Sequence, residues 1–314
     1  MRHRITNVIG AGVVAIALAA CGSTAPTPTA PTTPRQPAPL APQPPVRWKR
    51  SPASPYLAVG TTNHGYVSFL WMDPTHLQYR FIPGTQWPEG SPHTKADRRP
   101  SSWTSTIVAA FDGGFKLTDH TGGYYYRGHE VSPLRDGLAS LAVWSDGSLH
   151  LGVWGRDLHM TKDTIAVRQN LPPILDNGVV QTSPSDGPNT WGHAIRNTLW
   201  ANRSALGVTA DGALIFIFAH RASPEGLARE LRFAGARFGM VLDMNGTWPA
   251  VYVYQHTGGH IVGKAINAYV GRPPSSYLQP YSKDFIAVRE RTTPATPTSA
   301  AATATPAASG TTNG

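Results

Sequence analysis

The stretch Asn202-Arg203-Ser204-Ala205-Leu206-Gly207-Val208-Thr209-Ala210-Asp211-Gly212-Ala213-Leu214-Ile215-Phe216-Ile217-Phe218, followed by a helical segment and then Val241-Leu242-Asp243-Met244-Asn245, decides the fold. It reads as strand, tight turn, strand, helix, strand. Asp211-Gly212 separates two apolar runs rich in β-branched and aromatic residues, and such a turn needs residues that tolerate positive φ. Ser223-Pro224-Glu225 then opens a helix: Ser as N-cap, Pro in the first turn, Glu near the positive end of the helix dipole. Leu227, Leu231, Ala234 and Phe238 recur at helical spacing while Arg229 and Arg232 fall elsewhere on the wheel. One face of the helix is therefore expected to meet a core.

Outward from this stretch, strand-like runs dominate. They are Tyr56–Val59, Gly65–Trp71, Leu77–Ile82, Ile107–Phe111, Gly123–Tyr126, Leu138–Trp144, Leu149–Trp154, Ala205–Val208, Leu214–Phe218, Phe238–Leu242, Val251–Tyr254 and Phe285–Val288. With one clear helix among them, the expected class is α+β: a predominantly antiparallel β-sheet with hairpins and one or a few helices, in one domain over residues 56–291. Leu141–Leu149, around Asp146-Gly147, repeats the plan of Leu206–Leu214 around Asp211-Gly212. The two are expected as successive hairpins of one antiparallel system, since two units do not make a solenoid. Long polar loops are expected at 84–105 and 171–198.

The ends have a different character. Arg2, His3 and Arg4 precede an apolar run from Val8 to Ala17, too short to span a bilayer comfortably, and Leu18-Ala19-Ala20-Cys21 follows. Residues 1–20 are read as a signal peptide, and Leu-Ala-Ala-Cys resembles a bacterial lipoprotein signal in which Cys21 becomes the lipidated first residue. The expected location is then extracytoplasmic, with the chain anchored to the membrane through Cys21. Cys21 is the sole cysteine, so disulfides and thiolate metal sites are excluded and the core alone must hold the fold. Residues 21–55 are rich in Pro, Thr and Ala and are expected as a tether; residues 292–314 share that composition and are expected as a disordered tail. The net charge is +9, lowered by two on loss of Arg2 and Arg4. That excess favours anionic envelope partners, and no segment has the pattern of a nucleic-acid module. No feature points to an obligate protein partner.

Three polar groups stand where apolar strands begin or end. Asp112 follows Ile107-Val108-Ala109-Ala110-Phe111 and precedes Gly113 and Gly114; Asp243 follows Met240-Val241-Leu242; Arg203 precedes Ala205-Leu206-Gly207-Val208. Paired glycines let a backbone take special conformations and let another group approach closely. Taken together, Asp112-Gly113-Gly114-Phe115, Arg203-Ser204-Ala205-Leu206-Gly207, the helix, and Leu242-Asp243-Met244-Asn245-Gly246-Thr247 resemble, in order and spacing, the phosphodiester glycosidase family, the domain of the N-acetylglucosamine-1-phosphodiester α-N-acetylglucosaminidases. The resemblance extends over roughly residues 107–254.

The resemblance implies hydrolysis of a sugar-phosphodiester linkage in cell-envelope glycans. A phosphomonoester has a second pKa of about 6 and leaves with little protonation near neutral pH. The site must then supply a cation on the phosphate, for which the guanidinium of Arg203 is suited. It must also supply carboxylates, Asp112 and Asp243, to position water or stabilise the anomeric centre. Gly113, Gly114, Asn245, His220 and Trp248 are expected to line the substrate, Trp248 by stacking on a sugar. Family members carry Asn where this chain has Asp112, and Gly-Gly where it has Met244-Asn245. The added charge at Asp112 would repel a phosphate unless a divalent cation or a proton neutralises it. Met244 narrows any backbone cradle, so the alternative expectation is a non-catalytic envelope lipoprotein that binds phosphate-bearing glycans. None of His64, His120, His129, His193, His220 and His256 has HExxH-type spacing, and the sequence identifies no metal-ligand set. Trp144 and Trp154 are expected in the core.

Overall fold

A computed structural model describes residues 46–62, 65–90, 102–118, 122–183, 186, 188–192 and 199–292. Residues 1–20, Cys21, the tether up to residue 45, the tail beyond Thr292, and His64, His120 and His193 lie outside the described residues. Among the described residues no helix is long and apolar enough to cross a membrane.

The strands form three antiparallel sheets. The first contains β1 (Arg47–Ser51), β2 (Ser54–Thr61), β3 (Val67–Met72), β11 (Leu175–Asp176), β12 (Val179–Val180), β13 (Ala201–Thr209), β14 (Leu214–Ala222) and β15 (Ala236–Met244), in the order β1-β2-β3-β14-β13-β15-β11-β12. The second contains β6 (Tyr124–Tyr126), β7 (His129–Ser132), β8 (Ala139–Trp144), β9 (Leu149–Val153) and β10 (Thr164–Gln169), in the order β7-β6-β10-β8-β9. The third contains β4 (Leu77–Ile82), β5 (Ile107–Asp112), β16 (Val251–Thr257), β17 (His260–Ala265) and β18 (Phe285–Glu290), in the order β17-β16-β5-β18-β4. Two α-helices, α1 (Pro188–Trp191) and α2 (Pro224–Phe233), and a 3₁₀ turn at Pro274–Leu278 complete the described elements. The class is α+β with strands in the majority.

Each expected strand run forms a strand. The β13–β14 hairpin turns at Gly212, whose φ of +89° suits a residue without Cβ, and pairs Leu206 with Phe216 and Val208 with Leu214. Ser223 caps α2 by accepting a 3.0 Å hydrogen bond from the Gly226 N–H. Leu227, Ala228 and Leu231 are buried with Ile215, Ile217 and Val241 on one face of the first sheet. The glycines beneath the helix allow this approach, since a Cβ on Gly239 would come within 2.6 Å of the Leu231 side chain. The opposite face of the sheet, through Leu206, Phe216, Phe218, Met240 and Leu242, joins residues of the other two sheets in the largest core cluster. Strands β13 and β14 are thus covered on both sides, which is why their sequences are nearly continuous apolar runs.

Several expectations change. Strand β1 lies inside the stretch expected as tether, pairing Arg47–Arg50 with Ala58–Thr61. Helix α2 ends at Phe233, with Ala234 as its C-cap, and Phe238 belongs to β15 and the other core. The two Asp-Gly hairpins both form but stand in different sheets. Strand β8 gives its edges to β9 and β10, and β13 gives its edges to β14 and β15, so neither has an edge left to join the other. The region 171–198 contains β11, β12 and α1 besides loop. Trp154 is buried in a small cluster with Ala142, Leu158 and Val167, whereas Trp144 is half-buried and stacks on His150 at 3.7 Å.

Candidate active site

Three sheets meeting at one place must tie off their strand ends there, and the polar residues that do so converge. Asp112 is the last residue of β5, Ser204 lies on β13, and Asp243 is next to last on β15. The Ser204 hydroxyl donates to Asp112 Oδ2 at 2.6 Å and accepts the Asp243 main-chain N–H at 3.0 Å. Asp112 Oδ1 accepts the Ala250 N–H at 2.8 Å. Asp243 Oδ1 accepts the Met244 N–H at 2.8 Å, and its Oδ2 accepts the ammonium of Lys283. All four side chains are buried. One serine therefore ties the Asp112 carboxyl to the main chain of Asp243, and one lysine meets the Asp243 carboxylate.

The second sheet enters through Arg168 and Asn170, at the end of β10 and just past it. Arg168 donates from Nε to Asp284 Oδ2 at 3.1 Å, from Nη1 to the Gln169 carbonyl at 3.0 Å, and from Nη2 to the Phe115 carbonyl. Asn170 donates to the carbonyls of Val241 and Leu242 at 2.7 and 3.0 Å and accepts the Phe115 N–H at 3.3 Å. Asp284 Oδ1 is buried and has no hydrogen-bond partner among the described residues. Gly113 and Gly114 serve this packing: a Cβ on Gly113 would lie 2.3 Å from Asp284 Oδ2, and one on Gly114 2.7 Å from Asn170 Oδ1. The close approach that the paired glycines permit is that of these two side chains.

Burial and charge move the carboxyls apart. Burial pushes Asp112 up to about 8, helped by the neighbouring Asp243 charge and opposed by the hydrogen bonds from Ser204 and Ala250 and by Lys283. Asp243 is raised as well: burial outweighs the opposing pull of the Lys283 ammonium and its hydrogen bond. Asp284 is likewise raised by burial and lowered by Arg168. Of the two, Asp112, with no cation in contact, is the group favoured to hold a proton, and Asp243, under the ammonium, is the group favoured to carry charge. Once protonated, Asp112 can donate to the Ser204 oxygen, and the Ser204 hydroxyl has the Asp243 carbonyl at 3.3 Å as an alternative acceptor.

Arg203 lies elsewhere. Successive residues of a strand point to opposite faces, and while Ser204 meets the Asp112 carboxyl, Arg203 enters the core under α2. It donates from Nε to the Ala222 carbonyl at 3.0 Å, from Nη1 to the Trp191 carbonyl at 3.2 Å and from Nη2 to the Leu199 carbonyl at 3.3 Å, with Met244 Sδ 3.6 Å from Nη1. Burial lowers its pKa to about 10. The guanidinium expected on a phosphate is committed to main-chain carbonyls on the far face of the sheet.

Trp248 is at the site: its ring centroid lies 4.8 Å from Lys283 Nζ, which contacts Asp243. Asn245 takes φ +71° and donates its N–H to the Asn202 carbonyl at 2.9 Å, and Asn202 Nδ2 reaches the Gly246 carbonyl at 3.2 Å. His220 joins the same loop indirectly: its Nδ1 is 2.9 Å from Asn202 Oδ1, and its ring stacks on Tyr269 at 3.6 Å. Burial and Arg221 lower its pKa, so it buttresses the 245–246 loop as a neutral ring.

Among the described residues no group of three His, Cys, Asp or Glu is arranged to hold a metal ion. Lys283 and Arg168 already occupy one oxygen each of Asp243 and Asp284, so the donor set does not fit the divalent cation considered from the sequence. Lys283, Asp284, Arg168 and Asn170 are not among the residues the sequence singled out. Lys283-Asp284 stands directly before the apolar run Phe285–Val288, the same pattern that marks Asp112 and Asp243 at the other ends of theirs.

The fold and site define an antiparallel three-sheet protein with two buried aspartates, the carboxyl of one held through a serine to the main chain of the other. Residues 105–247, just under half of the chain, match the family model of the phosphodiester glycosidases. The match spans Asp112, Arg168, Asn170, Ser204 and Asp243. Among solved structures, the chain is similar to the zebrafish N-acetylglucosamine-1-phosphodiester α-N-acetylglucosaminidase catalytic domain auto-inhibited by its pro-peptide, at 14% identity and a TM-score of 0.43, covering 78% of this chain and 81% of that one. It is similar also to a hypothetical protein from Synechocystis, at 11% identity and a TM-score of 0.45, covering 79% of this chain and 64% of that one. Likeness at this level carries nothing about chemistry to this chain. No curated protein matches the sequence.

Proposed function

We propose that this domain hydrolyses a sugar-phosphodiester linkage of cell-envelope glycans at the anomeric carbon. The observation that carries the reading is the Asp112–Ser204–Asp243 arrangement, which lies within the segment that matches the family model, with Lys283 from beyond that segment on Asp243. In the reaction, water forms a bond to the anomeric carbon while the bond from that carbon to the phosphate oxygen breaks; the leaving phosphate keeps the electron pair, and the proton that the water gives up passes to solvent or to the departing phosphomonoester, whose second pKa is about 6. Asp243 supplies the negative charge that favours an oxocarbenium-like centre, and Lys283 holds it in place. Asp112, neutral below pH of about 8, adds no charge to repel the phosphate. Its protonation answers the charge introduced where family members carry Asn.

A second reading, a non-catalytic binder of anionic glycans, is favoured by the deep burial of both carboxyls and by Met244-Asn245 in place of paired glycines. The full chain incubated with a panel of sugar-1-phosphodiesters and envelope glycans, with and without divalent cation, separates the two. Release of free sugar without a cation requirement supports the hydrolase. Saturable binding that weakens with salt, with no release, establishes the binder instead.

The proposal includes the location. The basic start, the short apolar run and Leu-Ala-Ala-Cys21 support a lipid anchor holding the domain outside the cytoplasm, near the glycans it would act on. Cys21→Ala is expected to move the protein from the membrane fraction to the soluble one; retention on washed membranes would refute the anchor.

A further inference from the structure

Four loops meet above the carboxylates, and each brings either a cation or an indole. The 83–90 loop is held against the 281–284 segment by the Thr85 N–H on the Tyr281 carbonyl at 2.8 Å and the Trp87 N–H on the Ser282 carbonyl at 2.9 Å. It presents Trp87, which meets Trp248 edge to face at 5.9 Å. The loop after Gly114 brings Lys116, whose Nζ lies 4.0 Å from the Trp87 centroid and 5.4 Å from that of Trp248. Arg272 lies 4.7 Å from the centroids of both Trp248 and Tyr281. Lys283, 4.8 Å from the Trp248 centroid, joins this group to Asp243. Three cations thus surround one half-buried indole.

Like charges gathered so closely repel one another unless something anionic lies between them. Lys283 has Asp243, but among the described residues neither Lys116 nor Arg272 forms an ion pair. Glu89 uses its oxygens on the Leu117 N–H and the Thr118 hydroxyl, both at 3.2 Å. Arg272 is held in place by Nε on the Thr247 carbonyl at 2.8 Å and Nη2 on the Thr247 hydroxyl at 3.2 Å, which leaves Nη1 with no protein acceptor among the described residues. Lys116 Nζ makes no hydrogen bond there either. A guanidinium fixed by one edge and a free ammonium suit phosphate oxygens, and the indoles beside them suit the apolar face of a sugar ring.

We propose that Lys116 and Arg272, with Trp87 and Trp248, form the subsite that takes the phosphoryl group and adjoining sugar of a sugar phosphate. The proposal rests on the reading of the neighbouring carboxyls as the chemistry applied to the same ligand. It replaces Arg203 as the phosphate partner.

Binding to the full chain tests it by tryptophan fluorescence and calorimetry, with α-glucose 1-phosphate, inorganic phosphate and neutral methyl α-glucoside as probes. The sugar phosphate is expected to bind at least about ten-fold tighter than the neutral glucoside. Lys116→Met and Arg272→Met should each weaken it about five-fold or more, roughly 1 kcal/mol by the same conversion. Arg272→Lys should recover part of that loss, and Lys162→Met, at a remote exposed position, should leave it unchanged. Equal affinity for the charged and neutral sugars would overturn the proposal, as would Lys116→Met binding like the wild type or Lys162→Met weakening binding as much. Binding with these variant effects but no turnover sinks the hydrolase reading and leaves the subsite standing. Turnover with an unchanged KM in Lys116→Met does the reverse.

Discussion

Adjacent residues on β13 face two different environments. Ser204 looks into the seam where three sheets meet, and its hydroxyl joins the Asp112 carboxyl to the Asp243 main chain. Arg203 looks into the core under α2, where its guanidinium satisfies three carbonyls and meets no carboxylate. Both side chains are buried, polar and fully engaged, yet only the first is engaged with groups that can change protonation. A buried polar residue in a family motif can thus be a strut as well as a reagent, and its partners tell which.

The largest effect that sharpens this contrast is expected on the seam side. Lys283→Met leaves Asp243 buried without its counter-ion, a loss of about 3–5 kcal/mol. The loss should shrink at low pH, where Asp243 is protonated. Urea unfolding at two pH values measures it, and a loss that is equal at both would mean that Lys283 does not serve Asp243. On the other face, Arg203→Met strands carbonyl acceptors and is expected to cost about 2–3 kcal/mol, with no dependence on pH between 5 and 8. A pH-dependent loss there would put a titrating partner where the structure has none.

A third contrast, a slope with pH rather than a single loss, concerns Asp112. Its pKa in the folded chain is about 8 against an ordinary 3.8, so the folded state binds the proton more tightly than the unfolded one. The stability this provides is complete below about pH 4 and is lost as pH rises toward 8, by at most about 1.4 kcal/mol per pH unit. Asp112→Asn cannot ionise and should flatten that slope. Urea midpoints at pH 5, 6.5 and 8 check this, and a variant with the wild-type slope would place the titration elsewhere.

Much of the scaffold could be read from the chain because β13, β14 and α2 announce themselves by apolar runs, a turn glycine and a cap. Strand β10 could not, since Arg168 and Gln169 are polar residues buried by partners more than a hundred and about thirty positions away, respectively, in sequence. Exposed β1 and the alternating edge strand β17 lack a continuous apolar signal. Asp112 and Asp243 stood out as acids closing apolar runs. Arg203 was misplaced for a physical reason: both faces of β13 are covered, so alternation says that residues 203 and 204 diverge but not which of them meets Asp243. Lys283 and Arg272 reach the site from loops whose position depends on the assembled sheets.

The central claim is that the chemistry resides on the Ser204 side of β13 and not on the Arg203 side. The direct measurement is the initial rate of sugar release from a sugar-1-phosphodiester at pH 6.5 by Asp243→Asn and by Arg203→Lys, each verified as folded by circular dichroism. Asp243→Asn is expected to lower the rate by about 10²-fold or more, and Arg203→Lys to remain within about three-fold of the wild type. A near-normal rate in Asp243→Asn together with a collapse in Arg203→Lys would contradict the account.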